Sequence, residues 1–162
     1  MNFNNSIIIV AGEPNSVFLE IFFKSLKKLK TKKPLVLIAS HKLVKLQMTK
    51  LKFKKKIKIL NLQYLDDLIL DNKHINLINV NYNTSKAFEN ISSKSNKYIT
   101  KCFETAFKII KKTKVKRLIS GPISKKTFLK KKHLGLTEYI SKKFNVKKSA
   151  MLIYNKKISV CP

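Results

Sequence analysis

Residues 116–139 read KRLISGPISKKTFLKKKHLGLTEY and contain two of the three glycines in the chain, Gly121 and Gly135. The first part, residues 117–120, is short and apolar and precedes a Gly-Pro pair, a pattern that predicts a buried strand ending in a turn. Pro122 suits the first turn of a helix, where a missing N–H has no cost. A strand, a small-residue turn and a helix start together form the usual ligand position on an open α/β sheet.

The rest of the chain alternates strand and helix patterns. Apolar β-branched runs predict strands, and apolar residues at helical spacing predict helices. This alternation predicts an α/β fold with a mostly parallel sheet and flanking helices. In residues 75–80 apolar residues alternate with Asn, which indicates a strand at a sheet edge. The predicted strands are residues 6–11, 35–39, 57–60, 75–80, 115–120, 150–154 and 158–161, and the predicted helices are residues 18–33, 40–51, 99–110, 122–130 and 136–144.

Length and composition indicate one ordinary domain. A chain of 162 residues with 44% hydrophobic content can bury a core, so we expect a single α/β unit over residues 1–162. The sequence has no apolar run long enough for a membrane span and no signal-peptide pattern, so we expect a cytoplasmic protein without membrane contact. Cys102 and Cys161 follow no pattern and are expected to be reduced.

The formal net charge of +28 is extreme, and 35 of the 36 basic residues are lysines. Dedicated nucleic-acid sites use arginine for bidentate contacts, but Arg117 is the only arginine. The lysines are spread between apolar positions, as on a solvated surface. We interpret them as a compositional bias and expect no specific nucleic-acid partner, although weak binding to polyanions at low salt follows from the charge.

The turn after the predicted strand at 115–120 carries candidate anion contacts. Backbone N–H groups at a helix start, with a hydroxyl and an ammonium nearby, suit an anion such as phosphate. Gly121, Ser124 and Lys125 are the candidates, and ordinary helix capping would satisfy the same physics.

No metal motif is evident in the sequence. The three histidines lie at no spacing typical of a metal site, and we interpret them as surface or packing residues. Asp66, Asp67 and Asp71 form a small acidic cluster that we interpret as a solvated turn.

Four segments in order resemble one enzyme family. Residues 8–14 (IIVAGEP) resemble the N-terminal strand and Gly-Glu/Asp-Pro turn of the 4-hydroxythreonine-4-phosphate dehydrogenases of pyridoxal phosphate biosynthesis. Residues 118–125 (LISGPISK) resemble that family's strand and Gly-Pro turn, and residues 135–139 (GLTEY) its Gly-His-Thr-Glu-aromatic motif. Residues 151–160 resemble the hairpin that follows. The order and spacing of the four segments match the family.

The resemblance implies a fold and an activity. It implies a two-domain α/β enzyme, similar to the isocitrate and isopropylmalate dehydrogenases, that works as a homodimer. NAD and a divalent metal would assist oxidation of a small phosphorylated hydroxyamino acid, which then loses carbon dioxide.

Two residues carry the family's substrate contacts, and one of them departs from the motif. Thr137 matches the family's threonine, whereas Leu136 stands where the family has histidine and can neither donate nor accept a hydrogen bond. The resemblance implies that residues 135–139 and the Gly121 turn form one wall of the substrate site. The family's Gly-rich segment after the first turn reads NSVFLE here, at residues 15–20, and only Glu20 matches.

The sequence stops on the opening residues of a predicted strand, which we interpret as an N-terminal portion of the family's fold. The family's metal-binding histidines and NAD-binding segments lie beyond the matched segments. We therefore expect the 162-residue chain to be inactive in hydride transfer and assign it no metal ligand or NAD contact. The alternative is a non-enzymatic lysine-rich α/β domain that binds an anionic partner, either a phosphate compound or a nucleic acid.

Overall fold

A computed structural model describes residues 1–64, 68–129 and 133–161. The helices and strands alternate along the chain, which confirms the predicted α/β class. The strands are β1 (Ile7–Val10), β2 (Leu35–Ala39), β3 (Ile57–Ile59), β4 (Ile75–Asn79) and β5 (Leu118–Ser120), and the α-helices are α1 (Phe18–Lys28), α2 (His41–Lys50), α3 (Asn96–Lys112) and α4 (Leu136–Phe144). The five strands form one parallel sheet in the order β3-β4-β2-β1-β5.

The chain divides into two compact units, Met1–Ser124 and Lys125–Pro162. The first unit contains the whole sheet and α1 to α3. The second unit contains a π-helical turn at Lys125–Leu129, helix α4 and the C-terminal segment. The Gly121 turn therefore belongs to the first unit, and the motif that contains Leu136 and Thr137 belongs to the second.

The sheet of the first unit is covered on both faces, as the continuous apolar runs of its strands predict. Alternate strand residues, such as Ile9 and Leu37, pack with residues of α1 and α2 into one buried cluster. The residues between them, such as Ile8 and Val36, are fully buried on the other face. Helix α3 packs against β1 and β2, and its predicted apolar stripe is buried.

Helix α2 has a well-defined start and an unusual end. The Ser40 hydroxyl accepts a hydrogen bond of 3.3 Å from the Leu43 N–H, which confirms the predicted N-cap. At the other end Phe53 N–H donates to the Met48 carbonyl at 2.9 Å, and Lys52 N–H donates to the Thr49 carbonyl at 3.2 Å. These two bonds form a Schellman motif, which places Lys52 in the left-handed conformation with φ +50°.

The prediction of an edge strand at residues 75–80 is wrong. Strand β4 lies between β3 and β2, and four of its five residues are buried. The side chain of Asn76 is accommodated because its Nδ2 donates to the backbone carbonyls of Leu35 at 3.0 Å and Asp71 at 2.6 Å. Backbone acceptors for both N–H groups of its amide allow this polar residue to occupy an interior strand, although its Oδ1 has no hydrogen-bond partner among the described residues.

Two predictions near the C-terminus are confirmed only in part. No helix begins at Pro122, because residues 121–124 are irregular and the π-helical turn begins at Lys125. The predicted hairpin of residues 150–161 is reduced to an isolated antiparallel bridge between Ile153 and Val160, with hydrogen bonds of 2.8 and 2.9 Å. Both residues are exposed, so burial provides little support for longer strands.

Among the described residues, no helix combines the length and apolar character needed to cross a membrane. The predicted acidic turn at Asp66 and Asp67 lies outside the described residues. Asp71, its third member, accepts hydrogen bonds from the His74 backbone N–H and from the His74 ring, both at 2.9 Å.

Candidate functional site

The loops after β1 and β5 meet at the carboxyl edge of the sheet. The chain leaves β1 toward α1 and β2 on one side, while β5 pairs with β1 on the other, so the strand order reverses at this point. In open α/β sheets, ligands bind outside the carboxyl ends of the strands at such a reversal. The Gly-Pro turn, where the sequence predicts a ligand, follows β5 at this reversal.

Two glycines allow these loops to touch through their backbones. Gly12 has φ +71°, and a Cβ there would overlap the Pro122 carbonyl oxygen and lie 2.9 Å from Gly121 backbone atoms. A Cβ on Gly121 would overlap the Ala11 carbonyl oxygen. The Glu13 N–H donates to the Pro122 carbonyl at 2.8 Å, and the Gly121 N–H donates to the Val10 carbonyl at 2.7 Å. The two loops are therefore in direct backbone contact, which hydrogen bonds stabilise.

Glu13 lies buried beside this junction with only 2% of its surface exposed. Its Oε2 accepts a hydrogen bond of 2.9 Å from the Ser95 hydroxyl, and its Oε1 accepts one of 3.3 Å from the Asn15 N–H. The Ser16 hydroxyl donates to the Glu13 carbonyl oxygen at 2.7 Å. A buried carboxylate is costly unless such partners satisfy it. Glu13 therefore holds the loop after β1 against the start of α3.

Gln47 holds a second loop at the same edge. Its Nε2 donates to the Pro14 carbonyl at 3.0 Å and to the Ala87 carbonyl at 2.8 Å. Asn15 Oδ1 accepts from the Glu89 N–H at 3.0 Å, which adds another link to the loop after β4. These bonds fix the long polar segment 81–95 over the carboxyl edge of the sheet.

A polar cleft of about 350 Å³ opens at this edge, next to the ends of β2 and β4. Its lining includes the backbone start of α2 and side chains that carry amides and a phenol, from Asn79, Asn81 and Tyr82. Asn79 Oδ1 accepts a hydrogen bond of 2.9 Å from the His41 N–H. The Tyr82 ring packs on the Tyr98 ring with centroids 4.8 Å apart. Such a lining suits a small polar ligand.

Two titratable groups beneath this cleft are held in their neutral forms. Burial raises the pKa of the Tyr98 phenol well above its usual value. Burial likewise raises the pKa of the Cys102 thiol to about 12. The Tyr98 hydroxyl oxygen accepts a hydrogen bond of 3.1 Å from the Ser40 N–H. Both groups therefore serve as structural support and not as acid–base groups at neutral pH.

The candidate anion contacts of the Gly-Pro turn lie in different surroundings. The Gly121 N–H is already bonded to the Val10 carbonyl, so this donor is engaged within the sheet. Ser124 is half-buried at the end of the first unit, and Lys125 is exposed at the start of the second. The hydroxyl and ammonium of these two residues remain the candidate anion contacts.

Leu136 and Thr137 occupy the first turn of α4 in the second unit, where the sequence predicts the helix to begin. Both side chains are half-buried. Gly135 is the N-cap residue and, without a side chain, supplies no hydrogen bond to the N–H groups of the first turn. The ring of Tyr139, in the next turn, packs edge-on against Phe128 and His133, with centroids 5.6 and 5.4 Å away.

The sequence did not predict the residues whose buried hydrogen bonds hold the loops of the site in place. Ser95, Gln47 and Tyr98 form its buried hydrogen bonds, yet none belongs to a motif. Their partners lie between 33 and 82 residues away in sequence. Only the Gly-Glu-Pro pattern that includes Glu13 provided a signal for this network.

The described residues offer no donor set for a metal ion. Among residues 1–64, 68–129 and 133–161, no group of three His, Cys, Asp or Glu side chains is placed to hold one. The residues described therefore do not fit the metal that the resemblance implies, and we assign no metal ligand.

The sheet and its junction of loops define an open, parallel α/β protein whose loops meet at the strand reversal, where proteins of this class usually bind ligands. The chain belongs to the PdxA family, because the family model described as "Pyridoxal phosphate biosynthetic protein PdxA" matches residues 30–162. A sequence search among curated proteins found no match.

Solved structures show the same fold. A protein assigned as a 4-hydroxythreonine-4-phosphate dehydrogenase from Salmonella typhimurium aligns with a TM-score of 0.81 and 17% identity over 97% of this chain and 50% of its own. The 4-hydroxythreonine-4-phosphate dehydrogenase from Burkholderia phymatum aligns with a TM-score of 0.80 and 17% identity over 97% of this chain and 48% of its own. The 4-hydroxythreonine-4-phosphate dehydrogenase from Klebsiella pneumoniae aligns with a TM-score of 0.78 and 17% identity over 97% of this chain and 50% of its own. The chain thus spans about half the length of these proteins.

Proposed function

We propose that this chain provides part of the substrate site of a 4-hydroxythreonine-4-phosphate dehydrogenase. The observation that carries the proposal is the match to the PdxA family model, which includes the GLTEY motif at the start of α4. The activity would be NAD-dependent and metal-dependent oxidation of a phosphorylated hydroxyamino acid, followed by decarboxylation. The family resemblance also supports a homodimer and a cytoplasmic location.

Thr137 is the proposed substrate contact. Its position in the first turn of α4 sets a hydroxyl next to backbone N–H groups at the positive end of the helix dipole. That combination can bind an oxygen of an anionic substrate through donated hydrogen bonds. Lys125, in the same unit as Thr137, is proposed as a further contact to the phosphate.

Leu136 lowers the affinity of this proposed site. An imidazole at this position could exchange a hydrogen bond with the substrate, and an aliphatic side chain cannot. A polar group of the substrate that faces Leu136 loses a partner and its hydration together, which costs about 1–3 kcal/mol.

Calorimetric titration with 4-phosphohydroxythreonine tests the proposal. We expect Leu136→His to tighten binding roughly 10-fold and Thr137→Val to weaken it several-fold, since one hydrogen bond is worth about 1 kcal/mol. Ser141→Ala, later in the same helix, is the matched control and should leave affinity unchanged. If neither Leu136→His nor Thr137→Val changes affinity, these residues do not contact the substrate.

We also propose that the 162 residues alone do not transfer hydride. The resemblance assigns the metal and nicotinamide contacts to family segments that match nothing in this chain. The test is NADH formation, followed by absorbance, with the purified chain, substrate, NAD and Mg²⁺. Turnover above the background without protein would contradict this part of the proposal and leave the binding experiment intact.

A further inference from the structure

A second concave surface lies beside α2, away from the loops after β1 and β5. It is a groove of about 1230 Å³, larger than most small-molecule sites. His41, just after β2, and His74, just before β4, are both part of its lining. Because β2 and β4 are paired neighbours, the groove extends for about the length of a strand, ~16 Å. We call this surface the lysine groove.

Six lysines line the lysine groove. Its lining contains no aspartate or glutamate among the described residues. Within residues 1–64, 68–129 and 133–161, none of the six lysines forms an ion pair. The lysines are Lys45, Lys52, Lys54, Lys55, Lys56 and Lys58. Like charges so close together repel one another, so the groove favours a bound anion.

One described carboxylate contacts a residue of the groove lining. Asp71 is bonded to His74, whose Nδ1 lies 2.9 and 3.1 Å from the two carboxylate oxygens. Lys58 donates one N–H to the Ile69 carbonyl at 2.8 Å and keeps two further donors. The positive charge of the groove is therefore largely available to a ligand.

Lys52 adds an independent observation. It occupies the left-handed position that ends α2, where glycine or asparagine is usual, and it lines the groove. For a residue with a Cβ, this conformation costs about 1–2 kcal/mol. A strained residue at a concave charged surface points to a role in binding.

The groove offers six lysines and few rings on which a base could stack, since its described ring-bearing residues are His41, His74 and Phe53. The Phe53 ring is buried and stacks on Phe23 with centroids 4.8 Å apart. Lysine ammonium groups act as point charges and do not read base edges as arginine does. These features favour a ligand made of phosphates alone over a single-stranded nucleic acid.

We propose that the lysine groove binds a linear inorganic polyphosphate. The chain of phosphates lies along the groove, and the ammonium groups contact successive phosphates. The groove contains none of the residues proposed to contact the substrate, although His41 also lines the polar cleft at the carboxyl edge of the sheet.

The test compares two variants with the same loss of charge. Lys52, Lys54 and Lys56 are changed to Gln in the groove variant, and Lys97, Lys101 and Lys108, which are exposed on α3, are changed to Gln in the control. Binding of tripolyphosphate and of a longer polyphosphate is measured by calorimetry at several salt concentrations. Circular dichroism and melting temperature verify that each variant is folded.

We expect the groove variant to lose at least 10-fold in affinity and the control less than 3-fold. The slope of log affinity against log salt should fall by about 2–3 in the groove variant, since three phosphate contacts are removed. Equal losses in both variants would show that only the overall charge matters, which would overturn the proposal. If the triple variant does not fold, Lys54→Gln with Lys56→Gln repeats the comparison against Lys97→Gln with Lys101→Gln.

Binding of a single-stranded RNA with the same number of phosphates distinguishes a polyphosphate site from a nucleic-acid site. Weaker binding of the RNA than of polyphosphate supports the assignment. Tighter binding of the RNA that depends on Lys52, Lys54 and Lys56 would overturn it in favour of a nucleic-acid site.

Discussion

The Oε2 atom of Glu13 accepts a hydrogen bond of 2.9 Å from the Ser95 hydroxyl, and both side chains are buried. The two residues are 82 positions apart in sequence. This bond joins the turn after β1 to the start of α3, so it helps to fix the carboxyl edge of the sheet. A buried carboxylate depends on such donors, because water cannot replace them.

Ser95→Ala should therefore destabilise the protein by about 1.5–3 kcal/mol, the usual range for a hydrogen bond to a charged group. Urea denaturation followed by circular dichroism measures this change. Ser93→Ala is the control, because Ser93 is exposed in the same turn and should change stability by less than about 0.5 kcal/mol. Equal effects of the two substitutions would contradict a structural role for the Glu13–Ser95 bond.

Gly12→Ala and Gly121→Ala should each cost at least about 2 kcal/mol. Each new Cβ would overlap a backbone oxygen of the opposite loop, and Gly12 also has a positive φ. Gly135→Ala is the comparison, because a Cβ there meets only the flexible Glu138 carboxylate, at 3.0 Å. Chemical denaturation of the three variants should rank Gly135→Ala as the mildest, and any other ranking would argue against the contact between the loops.

Lys52→Gly should stabilise the protein by about 0.5–1 kcal/mol. Glycine removes the free-energy cost of the left-handed conformation at the end of α2. This gain is larger than the free energy lost because glycine gives up more conformational entropy on folding. Lys54→Gly is the matched control, because Lys54 is exposed and has no positive φ. The same Lys52→Gly variant should bind polyphosphate less tightly, so stability and affinity should change in opposite directions.

Cys102 should make stability fall at alkaline pH. Burial raises the pKa of its thiol from 9.0 to about 12, so between these values the unfolded chain loses a proton that the native protein keeps. The stability that the neutral thiol contributes is fully present below pH 9. Between pH 9 and the raised pKa of about 12, the free energy of unfolding drops by ~1.4 kcal/mol per pH unit. The difference in unfolding free energy between wild type and Cys102→Ala should show this slope, whereas Cys161→Ala should keep the wild-type slope.

The two cysteines should also differ in reactivity. Cys102 is buried and Cys161 is exposed. A thiol reagent at neutral pH should modify one cysteine per native chain, at Cys161, and the second only in denaturant. Mass spectrometry after brief labelling identifies the site, and rapid modification of Cys102 in the native protein would contradict the buried environment.

The sequence was informative where local pattern and tertiary structure agree. The apolar run that includes Ile7–Val10, the Ser40 cap and the stripe of Asn96–Lys112 predicted elements that the structure confirms. In each case the period of the apolar residues decides which face is buried. The start of α4 at Leu136 was predicted equally well.

The predictions failed where distant residues decide the outcome. Pro122 is locally suited to a helix start, but its carbonyl accepts the Glu13 N–H, and the chain stays irregular until Lys125. Asn76 suggested an edge strand because its two backbone acceptors cannot be read from the sequence. The Glu13–Ser95 bond was missed for the same reason.

The pairing of β1 with β5 has a consequence for synthesis of the protein. Ile8 lies opposite Leu118, so one side of the first strand stays without its partner until the ribosome has added more than a hundred further residues. At 5–20 residues per second this interval is roughly 5–20 s. During that time β1 has an unpaired apolar edge, which can pair with another chain and promote aggregation.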